Sequence, residues 1–118
     1  MELNKKAAVY CRVAQMDDEA MELQKARVLR YAAELGHKNP VIYADNGASG
    51  LDYNRPAFSA MNADIAEGKI SAVIVHSISR VGRNPVETLP WIDQIKRKGI
   101  DLNAWDGSLD CYLNLGKK

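Results

Sequence analysis

Ala72-Val73-Ile74-Val75-His76-Ser77-Ile78-Ser79-Arg80-Val81-Gly82-Arg83-Asn84-Pro85 is the stretch on which the fold turns. It opens on the most hydrophobic short run of the chain, a strand. It closes on Asn84 and Pro85, a helix-capping residue followed by a first-turn proline. The helix so started carries its apolar stripe on Val86, Leu89, Ile92 and Ile95. Lys96-Arg97-Lys98 complement its negative end and Gly99 stops it. Ile100 to Ala104 then reads as another strand. Strand, polar loop, helix and strand in succession predict a parallel β-α-β unit.

The same unit repeats toward the N-terminus. Ala7-Ala8-Val9-Tyr10-Cys11-Arg12-Val13 reads as a buried strand, and Asp17 or Asp18 can cap a helix to about Leu35, with Gly36 beyond it. Met21, Val28, Ala32 and Leu35 share one face of that helix. Val41-Ile42-Tyr43-Ala44 is a second strand, and Asn54 with Pro56 starts a helix that turns Phe58, Met61 and Ile65 inward and stops at Gly68. The expectation is an α/β fold, an open, mostly parallel sheet with helices on both faces. The tail from Leu109 to Lys118 can add an antiparallel edge strand or fray.

The whole composition fits this. The 118 residues suffice for one domain, and 47% hydrophobic with 26% charged is an ordinary globular balance. Sixteen Lys+Arg against fifteen Asp+Glu leave a net charge of +1, which does not announce a nucleic-acid binder. The charge is uneven, −2 over residues 1–68 and +3 over residues 69–118. No apolar run approaches a membrane span, and the N-terminus has no signal-like apolar segment. Cys11, Cys111, His37 and His76 never fall at ligand spacing, so zinc, haem and disulfide scaffolds are disfavoured, and no metal or cofactor is expected. A reduced, cytoplasmic protein is the default.

Ligands of such sheets bind beyond the carboxyl ends of the strands. Arg12 ends the first strand, Asp45 and Ser49 follow the second, and Ser77, Ser79, Arg80 and Arg83 follow the third. Three arginines on one rim make a candidate phosphate clamp, because guanidinium offers planar donors matched to phosphate oxygens. Each has a plainer reading. Arg12 can be an ion-pair brace for Asp45, and Arg80 with Arg83 can be a solvated loop. Gln24, on the same face as Met21 and Val28, either braces its helix or reaches into the crevice. Ser49 by itself is an ordinary turn residue, and His76 a satisfied core residue rather than a base. No histidine-based nucleophile arrangement and no glycine-rich phosphate loop is present. A receiver-like domain would want clustered acids where Arg12 stands.

Together these residues resemble a known family. Tyr10-Cys11-Arg12-Val13 looks like the opening motif of the serine recombinases, the resolvase/invertase family. Gln24 resembles the glutamine on that family's first helix. Asp45-Asn46-Gly47-Ala48-Ser49-Gly50, with Arg55-Pro56, is similar to its second motif, and Ser79-Arg80-Val81-Gly82-Arg83 resembles its third, in a form frequent among large members. The likeness runs from about Ala7 to Gly107. It implies a resolvase-like catalytic domain with flavodoxin-like strand order, acting on DNA by transesterification. In that chemistry a serine hydroxyl forms a 5′-phosphoserine bond and frees a 3′-hydroxyl, with no metal. By the resemblance, Arg12, Arg80 and Arg83 hold the scissile phosphate with Ser49 and Arg55 beside it, while Gln24 and Asp45 orient the cluster. It also implies dimers and tetramers in the full-length protein, from mobile elements.

Two departures stand out. The family's nucleophile follows Arg-Val, and here that position is Ala14, whose methyl group cannot attack phosphorus. Strand cleavage is therefore expected to be absent as written, whether the alanine is natural or introduced. The alternative is a non-enzymatic module that pairs with active recombinase subunits. The second departure is length: the chain is expected to stop before the family's oligomerisation helix and DNA-binding domain, as an excised domain or a truncated product, and so to bind DNA weakly.

Overall fold

The two strands without polar alternation, β1 (Lys6–Val13) and β3 (Ile70–Val75), lie side by side at the centre of one four-stranded sheet. β2 (Val41–Asn46) and β4 (Asp101–Ala104) form its edges, in the order β2-β1-β3-β4 with every pairing parallel. This is the flavodoxin-like order. The computed structural model describes residues 5–47, 55–82 and 84–110.

Strand order dictates where the helices go. The crossover from β1 to β2 runs one way along the sheet; those from β2 to β3 and from β3 to β4 run the other way. Right-handed crossovers therefore put α1 (Asp18–Glu34) on one face and α2 (Pro56–Ala66) with α3 (Pro85–Arg97) on the opposite face. The core divides accordingly. Val9, Cys11, Ala72 and Ile74 meet Met21, Val28 and Ala32 of α1. Ala8, Tyr10, Val73 and Val75 meet Met61, Ile65, Ile92 and Ile95. Burying each Val or Ile contributes about 1.5–3 kcal/mol, so the central strands carry most of the stability. β4 alternates: Leu102 and Ala104 face α3, while Asp101 and Asn103 turn to the opposite side of the sheet.

Four expectations need correction. Val86 is 78% exposed, and the inward stripe of α3 runs through Thr88, Ile92 and Ile95. Thr88 is drawn in because the loop closes on it: a Cβ at Gly82 would sit 2.9 Å from the Thr88 Oγ1. Leu35 is the C-cap of α1, past its last inward turn, and is exposed. The sequence places an edge strand or frayed tail from Leu109, but residues 108–110 are helical, and residues 111–118 lie outside the described part. The cap expected of Asn54 also falls outside it. The N-cap of α2 is Arg55, which makes no side-chain capping bond.

Candidate functional site

At the carboxyl rim β1 outlasts its neighbour. Its pairing with β3 ends at Tyr10 opposite Val75, whereas its pairing with β2 continues to Val13 opposite Asn46. Backbone groups of Arg12 would otherwise be orphaned in the core. Gln24 satisfies both: its Oε1 accepts from the Arg12 N–H at 2.9 Å, and its Nε2 donates to the Arg12 carbonyl at 3.0 Å. The side-chain amide stands in for the next peptide of β3. The glutamine therefore braces the end of β1 rather than its own helix, whose start is capped by Asp17.

Arg12 itself is 1% exposed. Its Nε donates to the Arg80 carbonyl at 2.8 Å and its Nη2 to the Ser79 carbonyl at 2.7 Å. Arg55 donates through Nη1 to the Val81 carbonyl while lying 4.2 Å above the Phe58 ring. Three successive carbonyls of the third motif are thus held by arginines from the first and second. The reason is local. Ile78–Arg80 is a single 3₁₀ turn whose last N–H groups bond back to Ser77 and Ile78, so the carbonyls that follow have no partner within the turn. Cations fit that negative end.

Asp45 turns to the opposite kind of helix end. It lies opposite Arg12 in the strand register, but its carboxylate accepts from the Tyr10 hydroxyl at 2.8 Å, the Ala57 N–H at 2.9 Å and the Phe58 N–H at 3.1 Å. Asp45 therefore caps α2 from another strand, where α2's own N-cap makes no such bond. Burial, then the Asp45 hydrogen bond, pushes the Tyr10 hydroxyl pKa up and keeps it a neutral donor. Burial also raises the Cys11 thiol to about 12, so it is no nucleophile at neutral pH.

Arg80 is half-buried, and its Nε has no hydrogen-bond partner among the described residues. The Nδ1 of His76 is likewise unpartnered. The His76 ring stacks on Trp105 at 4.9 Å, and Arg27 lies 4.7 Å from the Trp105 ring. Burial and then the charge of Arg80 lower the His76 pKa. The Ser77 and Ser79 hydroxyls share a 2.9 Å hydrogen bond. Ser108 Oγ accepts from the Ile78 N–H at 2.9 Å and ties the turn to the end of β4. Ala14 is exposed just past β1.

The structure thus gathers Arg12, Gln24, Arg55 and Arg80 around one turn, with Asp45 joined to them through Tyr10 and α2. Arg83 and Ser49 lie outside the described residues. Tyr10 and Ser108 were not singled out as site residues by sequence. Tyr10 could have been, as a hydroxyl on a buried strand that needs an acceptor. Nothing in the sequence marks Ser108 as the partner of a residue thirty positions away. Among the described residues no three His, Cys, Asp or Glu side chains gather as metal ligands, and no helix is long and apolar enough to cross a membrane.

Comparison with known proteins agrees with the motifs. The family model for the resolvase N-terminal domain matches residues 7–116. A putative DNA recombinase of Bacillus subtilis (strain 168) is 29% identical over 97 residues, covering 80% of this chain and 19% of that protein. The chain thus spans about a fifth of that relative's length. The N-terminal catalytic domain of TP901-1 integrase superposes with a TM-score of 0.79 at 28% identity, covering 88% of this chain and 80% of the other. A resolvase family site-specific recombinase from Streptococcus pneumoniae gives 0.73 at 25% identity, over 95% and 87%. The C-terminal catalytic domain of ISC1926 TnpA, an IS607-like serine recombinase, shares the fold at 0.73 and 22% identity, over 93% and 78%.

Proposed function

This chain belongs to the resolvase N-terminal domain family, and from that premise we propose that it is the catalytic-fold domain of a site-specific DNA recombinase, silent in strand cleavage because Ala14 stands at the nucleophile position. The observation that carries the reading is the arginine framework around the 79–81 carbonyls, built by all three motifs at the rim where a ligand of this fold binds. A phosphodiester under attack gathers negative charge, and guanidinium groups fixed beforehand stabilise it without reorganising. Arg80 faces that charge, with Arg83 and Ser49 of the same motifs as further candidates. DNA is the proposed partner, and further recombinase subunits the assembly partners.

With serine at position 14 the chemistry would be complete. Its hydroxyl oxygen forms the bond to phosphorus, the bond from phosphorus to the 3′ oxygen breaks, and that oxygen leaves as a 3′-hydroxyl. The test grafts this chain, with and without Ala14→Ser, in place of the matching domain of an active recombinase, and incubates each with that recombinase's own site. A covalent protein–DNA adduct is expected from Ala14→Ser and none from Ala14. An adduct from the Ala14 form overturns the assigned silence. A folded Ala14→Ser graft without adduct overturns the active-site assignment. Ala14 also favours a second reading, a non-cutting subunit that pairs with active ones. That reading requires co-purification with an active subunit and no adduct from either form.

A further inference from the structure

We infer that Asn46 is a positioning residue for the nucleophile position, a latch that ties the link carrying residue 14 to the end of β2. The inference rests on the reading of position 14 proposed above and adds the side chain that aims it.

Four residues, Ala14 to Asp17, join β1 to α1, and all four are exposed, so core packing does not hold them. Both outer peptide planes of this link are instead bonded to one dipeptide of β2 and the residue after it. The Gly47 N–H donates to the Val13 carbonyl at 2.9 Å, which holds the plane entering Ala14. The Asn46 Oδ1 accepts from the Asp17 N–H at 2.9 Å, which holds the plane leaving Met16. The Asn46 Nδ2 donates to the Asp18 Oδ1 at 2.8 Å and ties the same amide to the first turn of α1. Gly47 turns back against the link at a φ of 95°, where a Cβ would lie 3.5 Å from the Met16 N and Cβ. Only Ala14, Gln15 and Met16 lie between the two pins.

The need for a latch is local. The N–H of an N-cap residue has no partner in its own helix unless a glutamate or glutamine three residues on reaches back to it. Three residues after Asp17 stands Ala20, which receives the Asp17 cap at 3.0 Å and has no side chain to return it. Asn46 returns it from another strand. Successive side chains of a strand point to opposite faces, so Asp45 caps α2 on one face while Asn46 reaches α1 on the other. The task needs an acceptor for the Asp17 N–H and a donor for the Asp18 carboxylate on one short side chain, and an amide carries both. Aspartate would keep the first bond and set two carboxylates against each other. In-line attack tolerates little misplacement, so a serine at position 14 gains its rate from a link held before DNA arrives.

The test follows adduct formation by the Ala14→Ser graft at saturating site DNA, with affinity for that DNA measured separately. Adding Asn46→Asp should slow the saturated rate about tenfold, within what misplacement of a reacting group costs. Adding Asp18→Asn as well exchanges donor and acceptor across the broken bond and should restore the rate. In this chain by itself, Asn46→Ala should move the backbone amides of residues 14–17 and speed hydrogen exchange at the Asp17 N–H. A merely structural Asn46 would lower the unfolding midpoint and leave the saturated rate unchanged, which overturns the inference. So do unmoved 14–17 amides in Asn46→Ala, or a double variant as slow as Asn46→Asp alone. Should Asn46→Ala fail to fold, the loss and recovery of rate in the Asn46→Asp and Asp18→Asn pair decides. An adduct from the Ala14→Ser graft at one rate across all variants sinks the inference alone. If that graft forms no adduct even with Asn46 in place, the reading of position 14 fails and the inference with it.

Discussion

The two ends of the sheet carry the same sign of charge in opposite ways. At the carboxyl rim, Arg12 and Arg55 are buried or half-buried and bonded to carbonyls 68 and 26 residues away. At the amino edge, Lys6, Lys38, Lys69, Lys96, Arg97 and Lys98 are all exposed, and the partners described there are local: Lys69 with Glu67, and Arg97 with Asp93 one helical turn back. Of these, Lys96 and Arg97 lie in the last turn of α3 and complement its negative terminus. The rim charges are bonded into the backbone of the 79–81 turn. A net charge of +1 averages over both, which is why it says so little about partners. Placement and burial carry the information.

The comparison breaks first if the rim tolerates loss of its polar groups. Asp45→Ala is expected to have the largest effect. It strands the Tyr10 hydroxyl and two N–H groups of α2 in a buried site, and should cost about 3 kcal/mol in urea unfolding. Asp45→Asn keeps one acceptor oxygen and should lie between. A loss within experimental error from Asp45→Ala would make the rim no more constrained than the edge. Gln24→Ala comes next, at about 2 kcal/mol, since it leaves the Arg12 N–H and carbonyl unpaired. Gln24→Glu should fare little better, because a carboxylate cannot donate to that carbonyl.

How much of this was legible in the sequence follows from how local each signal is. Strand runs, the Asn84 cap and the glycine stops are decided within a few residues, and the four strands and three helices lie where those signals put them. The stripe of α3 was misread at Val86 because the packing that draws Thr88 inward comes from Gly82, a close approach with no helical period. At the candidate site, residue types singled out these side chains but not their wiring. That Arg12 reaches carbonyls 79 and 80 depends on β1 and β3 being neighbours and on β3 ending early. Asp45 was expected to orient the arginines, and its bonds to Tyr10 and α2 follow from the side of β2 on which α2 begins. Both are facts of topology.

His76 sharpens the contrast through pH. Its pKa is lowered by burial and then by Arg80, with Arg27 adding to the fall and Asp106 opposing it. The folded state therefore holds the proton less tightly than the unfolded chain, whose histidine titrates near 6.5. Stability should be full above that pH and should decline as pH falls below it, until the folded form also protonates. Urea unfolding of the parent and His76→Asn between neutral pH and about pH 5 should show the parent losing more. Parallel profiles would mean that His76 is solvated like the edge groups, despite its place on Trp105.

The smallest effect is expected at the edge, and it bears on the comparison as directly as the largest. Replacing Lys6, Lys38 and Lys98 together by glutamine removes three exposed charges for which no side-chain bond is described. Exposed charges of this kind contribute little to stability, and their field is screened by salt within about 10 Å. The unfolding midpoint should not move measurably, and affinity for short duplex DNA at low salt should be unchanged. If that affinity instead falls while the 79–82 amides keep their free-state positions, the lysines are contacting DNA themselves. The two ends would then form one polyanion surface, with bonded arginines at one end and solvated lysines at the other, and burial would no longer separate site from surface.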